Sequence, residues 1–357
     1  MKKKVCSFFL GLISVFLCVV GVICLLQRVS VNENIKSDVC FAAAALAMPD
    51  GKTEESGEVS TVTAPKQTEN IQSKVVSATI DEPPHSYENA DLHEDEVHYP
   101  VIESTFGESG VKVSNFYIKD ALGVGTDFEN MLRLPLGFEI DNSDEPQVLI
   151  FHTHTTESYL EYDEGYYHES FYSRSNDETK NMVSVGEKIA ESLREKGIGV
   201  IHAKEVHDSP EYSGAYYRSW DTITEYMEKY PSIKVVLDIH RDSIAGDDGS
   251  KVKPVFEVEG KKAAQIMIMA GSDIYDQYDF EDWEYNLRFA LKLQECAEEM
   301  YPGMTRPLYF GDFAYNMPIS RGSLLIEMGT EVNTLQEAQY TGKLLGNVLA
   351  KVLQREG

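Results

Sequence analysis

The chain has 357 residues, enough for one large domain or two smaller ones with additional non-globular sequence. It carries 59 acidic and 32 basic side chains, which gives a formal net charge of -27 at pH 7. A surface of this sign repels the phosphate backbone, so the composition excludes nucleic acid as a partner. The sequence has no CxxC motif, which excludes a cysteine-rich zinc site.

The first predicted element is an apolar segment near the N-terminus. Lys2–Lys4 precede an uncharged run from Val5 to Leu26. At about 1.5 Å per residue this run is long enough to cross a hydrocarbon core of roughly 30 Å. A cleavable signal peptide has an apolar region of only about 7–15 residues, although the small residues of CFAAAALAMP keep cleavage open as the alternative. We therefore predict a cytoplasmic tip and transmembrane anchor at residues 1–27, which makes the chain a single-pass cell-membrane protein with its remainder extracytoplasmic.

Residues 28–100 are predicted to form a flexible acidic stalk outside the membrane. From about Met48 to Pro100 the sequence loses hydrophobic periodicity and is polar and acidic, with scattered prolines. Such a composition cannot bury enough apolar surface to offset the entropy of ordering the chain. Residues 101–145 contain apolar patches such as VKVSNFYIKDAL and are predicted to lead into a main domain at 146–357.

The main domain alternates predicted strands with predicted helices. QVLIFH, IGVIHA, KVVLDIH and SLLIEMG have the apolar character of buried strands, and PVFEVEG with AQIMIMAG is predicted to form a hairpin around Glu259–Lys262. Gly197 follows the first long helical pattern in the place of a terminating glycine, and Thr334 with Glu337 can form a capping box on the last helix. This pattern predicts an α/β fold with a mainly parallel or mixed central sheet flanked by helices.

Three predicted strands end in a residue that can bind a metal or move a proton. His154 and His240 each follow an apolar strand, and Glu327 lies inside LLIEMG, where a buried carboxylate is costly without a function. Ligand sites of such sheets lie at the carboxyl ends of the strands. Hydrolytic zinc sites have about three protein ligands and a nearby proton acceptor, so we predict Zn²⁺ on the two histidines and Glu327 as the catalytic base. Arg241 and Asp242 follow His240 and either orient a substrate or form an ion pair.

One further metal ligand is needed, and three carboxylates compete for this role. We prefer Glu178, because a carboxylate at the start of the helix after the first strand can point back over the strand end. Asp177 and Glu157 are the alternatives, although acidic residues also favour a helix N-terminus for dipole reasons alone. His152 is separated from His154 by one residue and is predicted to face the same side. It is then either an alternative ligand or the donor of a hydrogen bond that orients a ligand.

At these residues the sequence resembles the stage II sporulation protein P family of spore-forming bacteria. The segments VLIFHTHTTESY, NMVSVGEKIAESLREKGIGVIHA, YSGAYYRSWDTI, YPSIKVVLDIHRD, WEYNLRFALKLQ and LLIEMGTEVNTLQEA carry the resemblance. Together they cover nearly the whole region from Val148 to Leu349. So many motifs in one order are more specific than a single HxH pattern.

The family is in turn similar to zinc-dependent N-acetylmuramoyl-L-alanine amidases, which implies an amidase-like fold. Two of their zinc ligands fall on His154 and His240, and their catalytic glutamate falls on Glu327. Their glutamate ligand at the start of the first helix lands near Asp177 or Glu178. The spacing to that helix differs here, and threonines replace the glycines that flank the first histidine of the amidases.

The resemblance implies a membrane-anchored, zinc-dependent peptidoglycan hydrolase that acts at the septal membrane while the mother cell engulfs the forespore. It implies cleavage of the amide bond between muramic acid and the stem peptide, together with endopeptidase cleavage of peptide cross-links. It also implies the stage II sporulation proteins D and M as partners. The alternative is a non-catalytic cell-wall-binding scaffold that keeps the amidase fold.

Overall fold

The computed structural model describes residues 96–141 and 145–355. The predicted anchor at 1–27 and nearly all of the predicted stalk at 28–100 lie outside these residues. Across the part of the chain that is described, no helix combines the length and apolarity needed to traverse a bilayer. This finding contradicts the predicted single-pass membrane location, which is withdrawn.

The described residues form twelve strands, five α-helices and a short 3-10 helix at Met317–Ile319. The strands are β1 His98–Ser104, β2 Val111–Val113, β3 Phe116–Asp120, β4 Val148–Phe151, β5 Tyr166–His168, β6 Val200–His202, β7 Val235–Asp242, β8 Lys251–Val258, β9 Lys261–Ala264, β10 Ile266–Ser272, β11 Leu308–Asp312 and β12 Gly322–Thr330. The helices are α1 Phe128–Arg133, α2 Met182–Glu195, α3 Ala215–Lys229, α4 Trp283–Met300 and α5 Leu335–Arg355.

Eight strands form a central sheet in the order β2-β3-β11-β10-β12-β7-β4-β6. The four strands from β12 to β6 are parallel to one another, and β10 runs antiparallel to β12. The sheet is therefore mixed, and the α/β prediction is confirmed at this level. Strands β2 and β3 lie in the predicted lead-in region; β3 pairs with β11, and β2 pairs with β3 at the edge of the sheet.

Strand β4 is buried on both faces, which explains its continuous apolar run. Val148 and Ile150 belong to the larger core, which also contains the apolar sides of α2, α4 and α5. Leu149 and Phe151 face the opposite side, where Ile223 of α3 covers them. Since β7 alternates in the same way, its even-numbered residues point toward α3.

Two predicted helix ends are confirmed by their hydrogen bonds. Gly197 has φ +79° after α2, and its N–H and that of Ile198 donate to the carbonyls of Arg194 and Leu193, which is the Schellman arrangement. At α5 the Thr334 N–H donates to the Glu337 carboxylate at 2.9 Å, and the Glu337 N–H donates to the Thr334 hydroxyl at 3.2 Å. These reciprocal bonds form the predicted capping box.

A smaller sheet has the order β5-β1-β8-β9. The predicted turn is present, because Glu259 and Gly260 have φ values of 54° and 72° and join β8 to β9. The predicted hairpin partner is partly wrong, since β9 ends at Ala264 and the apolar strand β10 passes into the central sheet instead. Strand β10 is apolar on both faces, which suits a central strand better than a hairpin arm.

A buried lysine joins the small sheet to the start of α5. The Lys253 ammonium lies 2.9 Å from Glu103, 2.8 Å from Asp163 and 3.1 Å from Glu337. Burial alone would lower the pKa of Lys253, but the carboxylates of Glu337 and Asp163 outweigh it and hold this pKa above its ordinary value. The three carboxylates are close enough together to hold a cation, with donor atoms all within 4.8 Å of one another, and the ammonium occupies this role.

Candidate active site

The structure brings His154, His240 and Glu327 together at the carboxyl ends of the parallel strands. His154 follows β4, and its ring centroid lies 5.2 Å from that of His240, with the two rings nearly perpendicular. Glu327 of β12 is the direct register partner of His240 in β7. The side chains of register partners in parallel strands share one face of the sheet. All three residues are buried, on the face of the sheet that α3 covers.

Glu157 is the carboxylate that accompanies these residues. Its Oε2 lies 3.6 Å from His240 Nδ1 and accepts the backbone N–H of Arg241 at 3.2 Å. The preferred Glu178 and the alternative Asp177 are both exposed, so the structure does not bring them into this site. The reason is local, because the tight turn after β4 folds Glu157 back over the strand ends, whereas the segment before α2 runs along the surface.

His152 does not face the same side as His154, which corrects the prediction. Its Nδ1 lies 2.9 Å from the carbonyl of Ile239, and its Nε2 lies 2.9 Å from His202 Nε2. His202 in turn contacts Glu187 of α2 at 2.9 Å. Strand β4 ends one residue before His152, so strand alternation no longer applies in the turn that follows. Both nitrogens of His152 are thus engaged in a separate buried chain of hydrogen bonds.

Each of the two site histidines has its Nε2 held by a neighbouring side chain. His154 Nε2 lies 3.1 Å from the Tyr212 hydroxyl, and the two rings stack at 4.5 Å. His240 Nε2 lies 2.8 Å from Asp238 Oδ1, an ion-pair distance with poor hydrogen-bond alignment. Among the described residues, His154 Nδ1 is buried and has no hydrogen-bond partner. This arrangement leaves Nδ1 of His154 without a partner among the described residues, and Nδ1 of His240 faces Glu157.

Asp238 is a site residue that the sequence analysis missed. Its carboxylate accepts the N–H of Thr153 at 2.8 Å and the hydroxyl of Thr153 at 2.7 Å, in addition to contacting His240. The Asn316 amide and the Ser219 hydroxyl bond the same threonine hydroxyl. Thr153 in HTHTT therefore holds the Asp238 carboxylate in place. The signal was the DxH pattern in VVLDIH, which puts Asp238 and His240 on one face of a strand.

The electrostatics of the site are dominated by buried carboxylates. Burial raises the pKa of Glu327 to about 8, and Asp242 adds to this effect while His240 opposes it. Burial would lower the pKa of His240, but Asp238 and Glu157 outweigh it and raise this pKa to about 9. Within the described residues, Glu327 Oε2 has no hydrogen-bond partner. A cation placed among these carboxylates would be stabilised by their charge.

Arg241 and Asp242 hold the surrounding backbone. The Arg241 guanidinium donates to the carbonyl and hydroxyl oxygens of Ser173 at 3.1 and 3.0 Å. The Asp242 carboxylate pairs with Arg306 at 2.7 Å. A role for either residue in orienting a substrate stays a prediction.

Three tyrosines and one arginine cover the site. We call Tyr212, Tyr216 and Tyr315 the tyrosine roof: the Tyr216 ring lies 5.6 Å from that of His154 and 5.3 Å from that of Tyr315. The Arg174 guanidinium lies 4.7 Å from the centre of the Tyr212 ring, on the outer side of the roof. The roof explains why His154 is only 3% exposed.

The donors at the site fit a zinc ion in chemical type. Two ligand atoms at zinc bond lengths of about 2.0–2.1 Å and a tetrahedral angle lie roughly 3.4 Å apart. The 3.6 Å between His240 Nδ1 and Glu157 Oε2 is close to this value. His154 Nδ1 is a buried nitrogen without a partner among the described residues, as expected for a ligand atom. The donor atoms of His154, Glu157 and His240 do not all lie within 4.8 Å of one another. These three residues are therefore more widely spaced than the three carboxylates around Lys253.

The fold and the site define a mixed α/β protein with a buried imidazole–carboxylate centre at its strand ends. The family model described as stage II sporulation protein P matches residues 36–350, and the chain belongs to this family. A curated relative, "Stage II sporulation protein P" of Bacillus subtilis (strain 168), is 26% identical over 220 residues. That match covers 58% of this chain and 51% of the relative, so the chain spans about half the length of that protein.

Solved structures of amidases are also similar to this chain. One is an N-acetylmuramoyl-L-alanine amidase from Clostridium difficile 630, with 15% identity, a TM-score of 0.36 and coverage of 60% of this chain and 97% of that one. Another is the N-acetylmuramoyl-L-alanine amidase AmiC2 of Nostoc punctiforme, with 10% identity, a TM-score of 0.33 and coverage of 58% and 96%. At TM-scores this low the likeness carries no argument about the site.

Proposed function

We propose that the chain is a zinc-dependent peptidoglycan hydrolase of sporulation that cleaves the N-acetylmuramoyl-L-alanine amide bond. Endopeptidase cleavage of peptide cross-links is its second proposed activity, and the stage II sporulation proteins D and M are its proposed partners. The observation that carries this proposal is the convergence of His154, Glu157, His240 and Glu327 in one buried site. Membership of the stage II sporulation protein P family supports it.

The proposed zinc ligands are His154, Glu157 and His240. When bound, the metal supplies Lewis acidity that polarises the amide carbonyl of the substrate. If Nδ1 is the ligand atom of both histidines, Nε2 carries the proton in each of them. His154 then donates to the Tyr212 hydroxyl, and the protonated Nε2 of His240 lies 2.8 Å from the Asp238 carboxylate, so each ring has a neighbour that orients it.

Glu327 is the proposed general base and general acid. Its Oε2, which has no hydrogen-bond partner among the described residues, can accept a proton from the attacking water and pass it to the amide nitrogen as the C–N bond breaks. The products are the muramic acid carboxylate and a free amine on the stem peptide. Burial of the site keeps bulk water away from the reacting groups and strengthens the interactions among the charges there.

The test is digestion of purified peptidoglycan by the full-length chain, with zinc added or removed by a chelator and the products resolved by mass spectrometry. We expect zinc-dependent release of free stem peptides from the glycan, and separated cross-links if the endopeptidase activity is present. The closed tyrosine roof favours the scaffold as the second candidate, so the Tyr212→Ala variant is assayed alongside. No release by either protein in the presence of zinc would overturn the hydrolase in favour of the scaffold.

The choice between the two candidate glutamate ligands gives a direct prediction. Glu157→Gln should weaken zinc binding by more than the roughly 10–100-fold that accompanies loss of an outer hydrogen-bond partner, because it removes a ligand oxygen. Glu178→Gln is the matched control and should change the affinity less than about twofold, since Glu178 is exposed. Competition with a chromophoric chelator measures both affinities. Strong loss in Glu178→Gln with little effect in Glu157→Gln would contradict the assignment.

A further inference from the structure

A large groove lies beside the candidate active site. It has a volume of about 690 Å³ and runs along the loop between β4 and α2 and the start of α5. A second cavity of about 340 Å³ adjoins it, and Tyr172, Arg174 and Ser175 line both. The second cavity is also lined by Tyr212, which hydrogen-bonds to His154. The two cavities thus form one track that leads to the covered site.

The lining of the groove combines aromatic faces with neutral polar groups. Gln336 and Gln339 of α5 supply amides, and serine and threonine hydroxyls supply further hydrogen-bonding groups. Tyr172 is 77% exposed and lines both cavities. The aromatic residues that line the groove are Tyr159, Tyr162, Tyr166, Tyr167, His168, Phe171 and Tyr172.

The charges in the groove argue against a strongly anionic or cationic ligand. Its two long cationic side chains are already paired, Arg174 with Asp208 at 2.8 Å and Lys180 with Glu161. Its lining also includes the carboxylate of Glu164. A stem peptide carries several carboxylates, and these would meet cations that already have carboxylate partners. A neutral ligand loses less free energy when it leaves water for such a groove.

We infer that this groove binds the glycan strand of peptidoglycan, with tyrosine rings stacked on the apolar faces of N-acetylated sugars. Aromatic rings give such contacts a large buried area, and the amides can bond the hydroxyl and acetamido groups. The amide bond to be cut is attached to a sugar, so a strand held in the groove would bring that bond toward the tyrosine roof. This inference rests on the proposed function for the identity of the polymer, and the binding itself requires no hydrolysis.

The test measures binding of a neutral probe, the tetrasaccharide of N-acetylglucosamine, by titration calorimetry with the full-length chain. We expect binding by the wild type and by Glu327→Gln, and an affinity at least about tenfold lower in Tyr172→Ala. Tyr172 is exposed, so its loss should leave the fold intact. Tyr275→Ala is the matched control, because Tyr275 is also exposed, at 55%, and does not line the groove.

Each possible binding result either supports or overturns the assignment of the groove to the glycan strand. Absence of tetrasaccharide binding, or equal binding by Tyr172→Ala and Tyr275→Ala, would overturn it. Binding of a free stem peptide that depends on Tyr172, with no binding of the tetrasaccharide, would assign the groove to the peptide instead. Tyr172-dependent sugar binding in a chain that releases no product from peptidoglycan would support the glycan groove while the proposed hydrolase fails.

Discussion

Replacing Glu327 with glutamine is expected to lower the rate of peptidoglycan cleavage by about 100- to 10,000-fold, the usual contribution of general acid–base catalysis. Glutamine has nearly the same shape as glutamate but cannot accept the proton of the attacking water. Zinc affinity should stay within a few-fold of the wild type, because Glu327 is not one of the proposed ligands. Initial rates of stem-peptide release, measured with saturating zinc, provide the check.

The Glu327→Gln variant is also expected to have a higher melting temperature than the wild type at pH 8, and this measurement shows whether its fold is intact. Burial raises the pKa of Glu327 to about 8, so the folded metal-free protein holds this proton more tightly than the unfolded chain does. Stability is then lost as pH rises from the ordinary pKa of 4.5 toward 8, and glutamine removes that loss. Glu327→Gln should therefore melt at a higher temperature than the wild type at pH 8. Full activity in this variant would exclude Glu327 as the base.

Replacing Lys253 with methionine is expected to cost about 3 kcal/mol of unfolding free energy. Removing one partner from a buried ion pair typically costs about 3–5 kcal/mol, because the remaining charges stay buried without compensation. The lower end applies here, since Glu103 and Asp163 are 39% and 32% exposed and keep part of their hydration. Urea unfolding at neutral pH measures the loss.

Lys262→Met is the matched control for this prediction. Lys262 contacts the same two carboxylates, Glu103 and Asp163, but its side chain is 31% exposed. Its loss should cost no more than about 1 kcal/mol, as for other solvent-screened pairs. Burial would raise the pKa values of Glu103 and Asp163, but the two lysines outweigh it and hold these pKa values below the ordinary 4.5 and 3.8. The cost of Lys253→Met should therefore shrink as pH falls below those ordinary values. If both variants lost the same small amount of unfolding free energy, the claim that burial makes the Lys253 ion pairs more stabilising would be wrong.

The sequence predicted the parts of the site that depend on strand ends. His154, His240 and Glu327 each occupy the end of an apolar run or its interior, and parallel strands in one sheet bring such positions together. The capping box and the C′ glycine were also predictable, because each depends on a few adjacent residues. These features follow from the spacing of residues along the sequence and from the rule that the carboxyl ends of parallel strands meet at one edge of a sheet.

Features that depend on turns could not be predicted in the same way. Glu157 lies three residues after His154 in a turn, where neither helical nor strand periodicity specifies a side-chain direction. His152 was assigned by strand alternation one residue past the end of β4, where alternation no longer holds. The partner of β8 was equally ambiguous, because both β9 and the apolar β10 follow the turn, and only tertiary packing decides which of them pairs.

The register of β7 and β12 determines which changes in chain length leave the candidate active site intact. Because His240 and Glu327 are partners in adjacent strands, the strand spacing of about 4.8 Å sets their separation, and the loops do not. Four strands and one α-helix lie between His240 and Glu327 along the chain, namely β8, β9, β10, α4 and β11. Insertions and deletions in those connecting loops can accumulate without moving either group. One residue gained or lost within β12 before Glu327 would turn its carboxylate to the opposite face of the sheet.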